Sequence, residues 1–206
     1  MRLLAATVTV INAAVLAVWW RWERSGRGVE LRARVNPLPL IGRGGDVAQM
    51  VPFAYPLLVA VAPGWFYEGW LNWSTGFDLA LQGAGMVLWA AGLGVGLWAA
   101  RAIGGYGAVS GVTVGHRLVR TGPYRYVRHP IYTAMIAIAV GTTFVFRSYL
   151  LLGIAAVSTL AHSWWASAEE ALLGSPEGLA EEYRSYAAST GRFLPRLRRR
   201  ARGPDR

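Results

Sequence analysis

Gly122-Pro123-Tyr124-Arg125-Tyr126-Val127-Arg128-His129-Pro130-Ile131-Tyr132 is dense in Arg, Tyr, His and Pro, and it opens without a break into an apolar run. Proline is tolerated in the first turn of a helix, and the residue before it is biased towards extended backbone. Pro130 is therefore expected to start a helix with His129 just outside it. Such a start points unpaired backbone N–H groups and the positive end of the helix dipole at whatever lies beside His129, a setting that suits an anionic group. The stretch reads as a polar site at a membrane face.

The composition around it is that of a membrane protein. Of the 206 residues, 54% are apolar and ten are Trp, and the mean hydropathy is positive at +0.32, so a soluble domain is not expected. There is no Cys, which excludes disulfides, thiolate metal sites and a cysteine nucleophile. No metal site is expected. The formal charge of +10 comes entirely from Arg, with no Lys. Arg clusters flanking apolar segments are what orientation in a bilayer requires, so nucleic acid is not an expected partner, whereas membrane lipids are.

Five apolar stretches, at about 3–20, 48–66, 79–100, 131–146 and 149–167, each approach the length at which a helix crosses hydrocarbon. The expected fold is all-α: a polytopic membrane helical bundle of about five transmembrane helices, with a cytoplasmic pocket formed by the C-terminal helices and loops. The first stretch ends Val18-Trp19-Trp20-Arg21 rather than at a small-residue cleavage site, so it is expected to stay in the membrane. With five crossings, every Arg except Arg2 and Arg147 falls on one side. The positive-inside rule then places the N-terminus outside and the motif and tail in the cytoplasm of what reads as a bacterial plasma membrane protein. Trp19, Trp20, Trp22, Trp65, Trp70 and Trp73 sit at predicted membrane ends, where indoles prefer the interface. Gly92 and Gly96 form a G-x-x-x-G pair suited to close helix packing. No G-x-G-x-x-G lies between a strand and a helix, so a Rossmann-type domain is disfavoured.

Arg147-Ser148 is a short turn, so the last two stretches should pack antiparallel. From Pro130 to Arg147 is about 26 Å of helix, and from Tyr149 to Glu169 about 30 Å. Glu169 and Glu170 therefore return to the level of His129 and Tyr132. Neighbours on a helix point about 100° apart, so one carboxylate is expected to face the site while the other serves an Arg. Acids at a membrane edge are costly enough to imply function. Residues 167–189 read as an extension of the fifth helix followed by a surface helix, with Pro176 near the start of the second.

The run His116-Arg117-Leu118-Val119-Arg120-Thr121-Gly122-Pro123-Tyr124 continues with Arg128-His129-Pro130-Ile131-Tyr132. Glu169-Glu170, Tyr183-Arg184 and Arg192-Phe193-Leu194-Pro195 then follow in order. Together these resemble the isoprenylcysteine carboxyl methyltransferase family, and phospholipid N-methyltransferases are similar. The resemblance covers roughly 101–197. It divides the chain into N-terminal transmembrane helices (1–100), a methyltransferase core (101–197) and a basic tail (198–206).

The resemblance implies an S-adenosyl-L-methionine pocket. Cofactor-binding roles fall on His116, Leu118, Tyr124, His129, Pro130, Tyr132, Glu169 and Glu170. Carboxylates suit the ribose hydroxyls or the ammonium, N–H groups near His129 and Pro130 suit the methionine carboxylate, and Tyr124 and Tyr132 suit adenine or the sulfonium. Methyl transfer from a sulfonium is an in-line displacement, for which a protein supplies mainly alignment and electrostatics. Arg128 and Arg192 are the catalytic candidates, holding a carboxylate acceptor. An amine would instead need a base such as His129 or a glutamate. The acceptor is expected to be a lipophilic small molecule or lipidated substrate reaching the site sideways from the bilayer.

Two departures from the family stand out. Ala134 replaces a usual Gly, which is expected to narrow the pocket by a methyl group, and the Glu170 to Tyr183 spacing is longer than usual. Two other readings compete: an NADPH-dependent sterol-reductase-like membrane enzyme, whose family shares an Arg-His-Pro-x-Tyr element, and a non-catalytic membrane scaffold. Ile131, Ala134 and Met135 depart from the reductase pattern.

Overall fold

The computed structural model describes residues 2–25, 30–35, 39–104, 111–115 and 117–196, with the side chains of Glu23, Ser25, Arg34 and 39–49 excepted. The chain is mainly helical: α1 (Arg2–Ser25), α2 (Pro39–Val61), a single-turn α3 (Pro63–Phe66), α4 (Asp78–Ile103), α5 (Pro130–Phe146), α6 (Tyr149–Leu173) and α7 (Ala180–Ser189). Among the described residues, α1 over Arg2–Trp22, α4 and α6 are long and apolar enough to cross a membrane. The 17 residues of α5 and the apolar Met50–Val61 part of α2 are shorter. At 1.5 Å per residue α5 reaches about 26 Å, just under a hydrocarbon thickness of about 30 Å. Among the described residues five apolar helices are thus present, three of them with a full span of their own.

One expected stretch, 48–66, divides in two. Ala62 leaves helical geometry (φ −133°, ψ 65°) before Pro63 starts α3. The structure also adds what hydrophobic patterning did not announce. Strand β1 (Leu31–Arg34), from the loop after α1, pairs antiparallel with β2 (Gly111–Thr113), from the loop after α4, and so joins the N-terminal helices to the core. Periodicity gives little warning of three- and four-residue strands in polar loops.

The long helices alternate in direction. Trp22 Nε1 donates to the Gly104 carbonyl at 2.9 Å, so α1 and α4 finish at the same end as the start of α5. At the opposite end Ala5, Tyr55, Val59, Val145, Phe146 and Leu151 form one buried cluster. Arg2 and Arg147 therefore share an end, and Arg101, Arg120, Arg125 and Arg128 lie at the other.

The tightest seam is between α4 and α5. A Cβ on Gly85 would lie 2.7 Å from the Gly141 carbonyl oxygen, and one on Gly141 would lie 2.6 Å from the Trp89 backbone nitrogen, so the two backbones touch where neither residue has a side chain. Gly92 and Gly96 extend the same seam, against Ile138 and Ala134. Ala134 is buried, and its methyl would stand 3.4 Å from a Cβ on Gly96. The substitution thus falls between helices, and its expected narrowing of the pocket is not what its position shows.

Candidate functional site

The Arg-His-Pro segment is built as its residues dictate. Gly122–Arg125 form a 3₁₀ turn with Pro123 near its start, and Gly122 takes a positive φ of 59°. His129 then caps α5 from just outside (φ −122°, ψ 61°), and Pro130 opens the helix. The segment after α7 lies alongside: the Arg128 N–H donates to the Gly191 carbonyl at 2.8 Å and the His129 N–H to the Arg192 carbonyl at 3.1 Å. The N–H of His129 is thus taken by protein and Pro130 has none, so a backbone donor to an anion at this helix start would have to come from the residues that follow them. Sequence could not show this, because the acceptor comes from sixty residues further along.

From the other side α6 delivers its two acids. Glu170 Oε1 accepts from Arg128 Nε at 2.9 Å, and Arg192 Nη2 donates to Oε2 at 2.7 Å. His129 Nε2 lies 3.1 Å from Oε1. Arg128 is itself consumed, its Nη1 donating to the carbonyls of Ala187 (3.0 Å) and Thr190 (2.5 Å). Its side chain is 13% exposed, against 35% for Arg192. Glu169 differs: Tyr132 Oη donates to its Oε1 at 2.6 Å, and its Oε2 lies 3.5 Å from His129 Nδ1. The neighbouring acids therefore divide, Glu170 to two Arg and Glu169 to the Tyr132 side.

With both ring nitrogens facing carboxylates, His129 is placed to donate twice, which only the cation can do. Burial lowers its pKa, but hydrogen bonds to Glu169 and Glu170 outweigh that and leave it above the usual range. Tyr132 stacks on His129 (5.4 Å between centroids, 7° between planes) and on its other side approaches His162 at 5.0 Å. Tyr124 is buried in the 3₁₀ turn, where burial and then the Glu169 charge push its phenol up. Hydrogen bonding to Glu170, ahead of burial, raises Arg192.

Leu118 lies half-buried in the irregular segment leading to this turn, and His116 lies outside the described residues. The remaining candidates, Tyr124, Arg128, His129, Pro130, Tyr132, Glu169, Glu170 and Arg192, gather at one end of the α5–α6 pair.

Helix α7 starts at Ala180 rather than near Pro176, because the C-terminal cap of α6 runs on through Gly174 and a turn in which the Leu179 N–H bonds the Leu173 carbonyl. From α7, Tyr186 Oη donates to the Tyr124 carbonyl at 2.7 Å. Tyr183 is buried, and its hydroxyl has no partner among the described residues. Burial and then the Glu170 charge hold its pKa well up, while burial pushes Tyr186 up to about 12. These roles of α7 were not read from sequence. The same is true of His162, although a His inside an apolar span, seven residues before Glu169 on one helix face, was a readable signal.

The model of the phospholipid methyltransferase family matches residues 81–175, just under half of the chain. The match runs from α4 through the Arg-His-Pro segment to the end of α6, and it bears out the resemblance to membrane methyltransferases related to the isoprenylcysteine carboxyl methyltransferases. It leaves out α7 and Arg192. No curated protein matches the chain. The apolar helices and the family match together support an integral membrane protein.

Proposed function

We propose that this chain is an S-adenosyl-L-methionine-dependent methyltransferase, acting in the membrane on a lipophilic acceptor that carries a carboxylate, amine or hydroxyl. One observation carries the reading: the family-matched segment holds both Arg128–Tyr132 and Glu169–Glu170, and the fold brings these into contact. When bound, the cofactor would supply an activated methyl group on a sulfonium, and the protein's work is to align and to exclude water.

The residues present fit such a group, with roles sharper than their types suggest. Glu170, bound by Arg128 and Arg192 and beside His129, forms the wall of the site and holds the segment after α7 against α5. Glu169, 24% exposed, is the carboxylate left to accept from an ammonium or from ribose hydroxyls. Tyr124 and Tyr132 supply aromatic faces beside it, and the Tyr183 hydroxyl, without a partner among the described residues, supplies a further donor. Arg128 and Arg192 act as positioning residues through Glu170. The basic loops set the site at the cytoplasmic face, with the N-terminus outside, and the acceptor reaches it from the bilayer.

Calorimetry on the detergent-purified protein with S-adenosylmethionine, S-adenosylhomocysteine and NADPH tests the proposal. Binding of the adenosyl compounds but not NADPH is expected. Glu169→Gln should weaken that binding about tenfold, or about 1.4 kcal/mol, with the melting temperature nearly unchanged. Binding of NADPH alone would replace the reading with a reductase.

A further inference from the structure

We infer that His162 is the base that takes the proton of the methyl acceptor, and that the acceptor is therefore a lipophilic amine or hydroxyl rather than a carboxylate. The inference rests on the methyltransferase reading above and deepens it.

The groups at the polar end are poorly suited to the task. His129 faces a carboxylate with each ring nitrogen, so both nitrogens are placed as donors and neither lone pair is turned to an acceptor's proton. Glu170 is bound by two guanidinium groups besides His129. Glu169 accepts from Tyr132, and its remaining acceptor capacity is the one assigned above to the cofactor. His162 is built differently. Its Nδ1 lies 2.6 Å from the Ser158 carbonyl oxygen one turn earlier. A carbonyl can only accept, so Nδ1 carries the proton, and Nε2 of the neutral ring is left with its lone pair. Helix geometry thus fixes the basic tautomer.

Position adds a second, independent argument. His162 is buried seven residues before Glu169 on nearly the same face of α6, about 10 Å deeper in the bundle. Tyr132 links the two levels, its hydroxyl on Glu169 and its ring 5.0 Å from the imidazole. On the same face, Ser158 Oγ is buried with no partner among the described residues. α6 therefore carries a buried polar spot, His162 with Ser158, on the apolar side of the carboxylate site, and the inference places the reacting atom of the acceptor against it. Glu169 on α6 and Tyr132 on α5 are the titratable groups beside the ring, and Glu169 favours the imidazolium once formed.

In this step the lone pair of the acceptor nitrogen or oxygen forms a bond to the methyl carbon. The carbon–sulfur bond breaks, with its electron pair staying on sulfur as a thioether. The proton of the acceptor passes to His162 Nε2, and from there to solvent after release.

The test uses the full-length protein in nanodiscs, with a long-chain primary amine, a long-chain phenol and a long-chain fatty acid as acceptors. Methylation of the amine or phenol is expected, with His162→Gln lowering kcat at least 100-fold and abolishing its acid limb. The affinity for S-adenosylhomocysteine should stay within twofold. Nitrogen-15 spectra of the ligand-free protein should show His162 protonated at Nδ1. Turnover of the fatty acid alone, an Nε2-protonated ring, or undiminished kcat in His162→Gln would each overturn the inference while leaving the methyltransferase reading intact. Loss of S-adenosylhomocysteine affinity in step with kcat would make His162 merely structural, which also overturns it. A wild-type protein that binds no adenosyl compound overturns both proposals.

Discussion

The two ends of the α5–α6 hairpin carry polar clusters of similar make-up and opposite construction. At the turn between the helices, Arg147 sits in the left-handed region (φ 49°), buried. It bonds Asp78, donates to Tyr67 Oη at 2.7 Å, and lies over the Tyr67 ring. Around it Gln82 donates to Tyr67, Asn72 to the Phe146 carbonyl, and the backbone of Trp73 to the Arg147 carbonyl. These partners come from α4, α5 and the loop before α4, and they tie the helix ends together. At the other end the partners again arrive from distant segments, but the charges are stacked unevenly. Glu170 is crowded by cations while Glu169, its neighbour, has only Tyr132 and His129 among the described residues. The first cluster latches the helix ends together, with Arg147 Nε and Asn72 Oδ1 left without partners among the described residues, whereas the second leaves a whole carboxylate over. That contrast, rather than the count of charged residues, points to the start of α5 as the working end.

The contrast can be broken experimentally. Glu170→Ala should have the largest effect, because it strands Arg128 in a largely buried setting. A stability loss of about 3 kcal/mol is expected in denaturant titration of the detergent-solubilised protein, together with loss of S-adenosylhomocysteine binding. A fold that tolerates the change without cost would mean that Glu170 is not the wall of the site. Gly141→Val comes next, since its side chain would meet the α4 backbone. About 1–3 kcal/mol of overpacking is expected from the same titration, without a specific effect on either polar end.

Arg147→Gln should lower the melting temperature while leaving S-adenosylhomocysteine affinity within twofold. A matching loss of affinity would show that the two ends are coupled through the hairpin. The smallest effect concerns pH. His129 has its folded-state pKa raised above the value of about 6.5 expected when unfolded, so its stabilisation is complete below that pH and fades as pH rises through the folded-state value. Thermal melts from pH 6 upward should show this decline in the wild type and a flatter profile in His129→Asn. A decline on acidification over that range would reverse the assignment.

Much of this is legible in the sequence. Apolar runs marked the helices, Pro130 marked the start of α5, and Arg147-Ser148 marked the hairpin. Helix rise then brought Glu169 and Glu170 to the level of His129 and Tyr132, where the structure puts them in contact. What resisted reading was of two kinds. The β1–β2 pair and the turn before α7 are too short and polar to leave a periodic signal. The engagement of Arg128 with the Ala187 and Thr190 carbonyls joins groups about sixty residues apart, so no local pattern encodes it.

The sequence by itself determined the class of molecule and named much of its candidate site, though not His162 or the roles of α7, because bilayer thickness, helix rise and the cost of charge in hydrocarbon act on composition and spacing alone. Tertiary structure alone decided which acid is bound by two guanidinium groups and which is not, that the His129 N–H is spent on Arg192, and that His162 Nδ1 faces the Ser158 carbonyl. Hydrogen bonding is settled by direction and by which partner arrives first, and both depend on how α5, α6 and the segment after α7 come together.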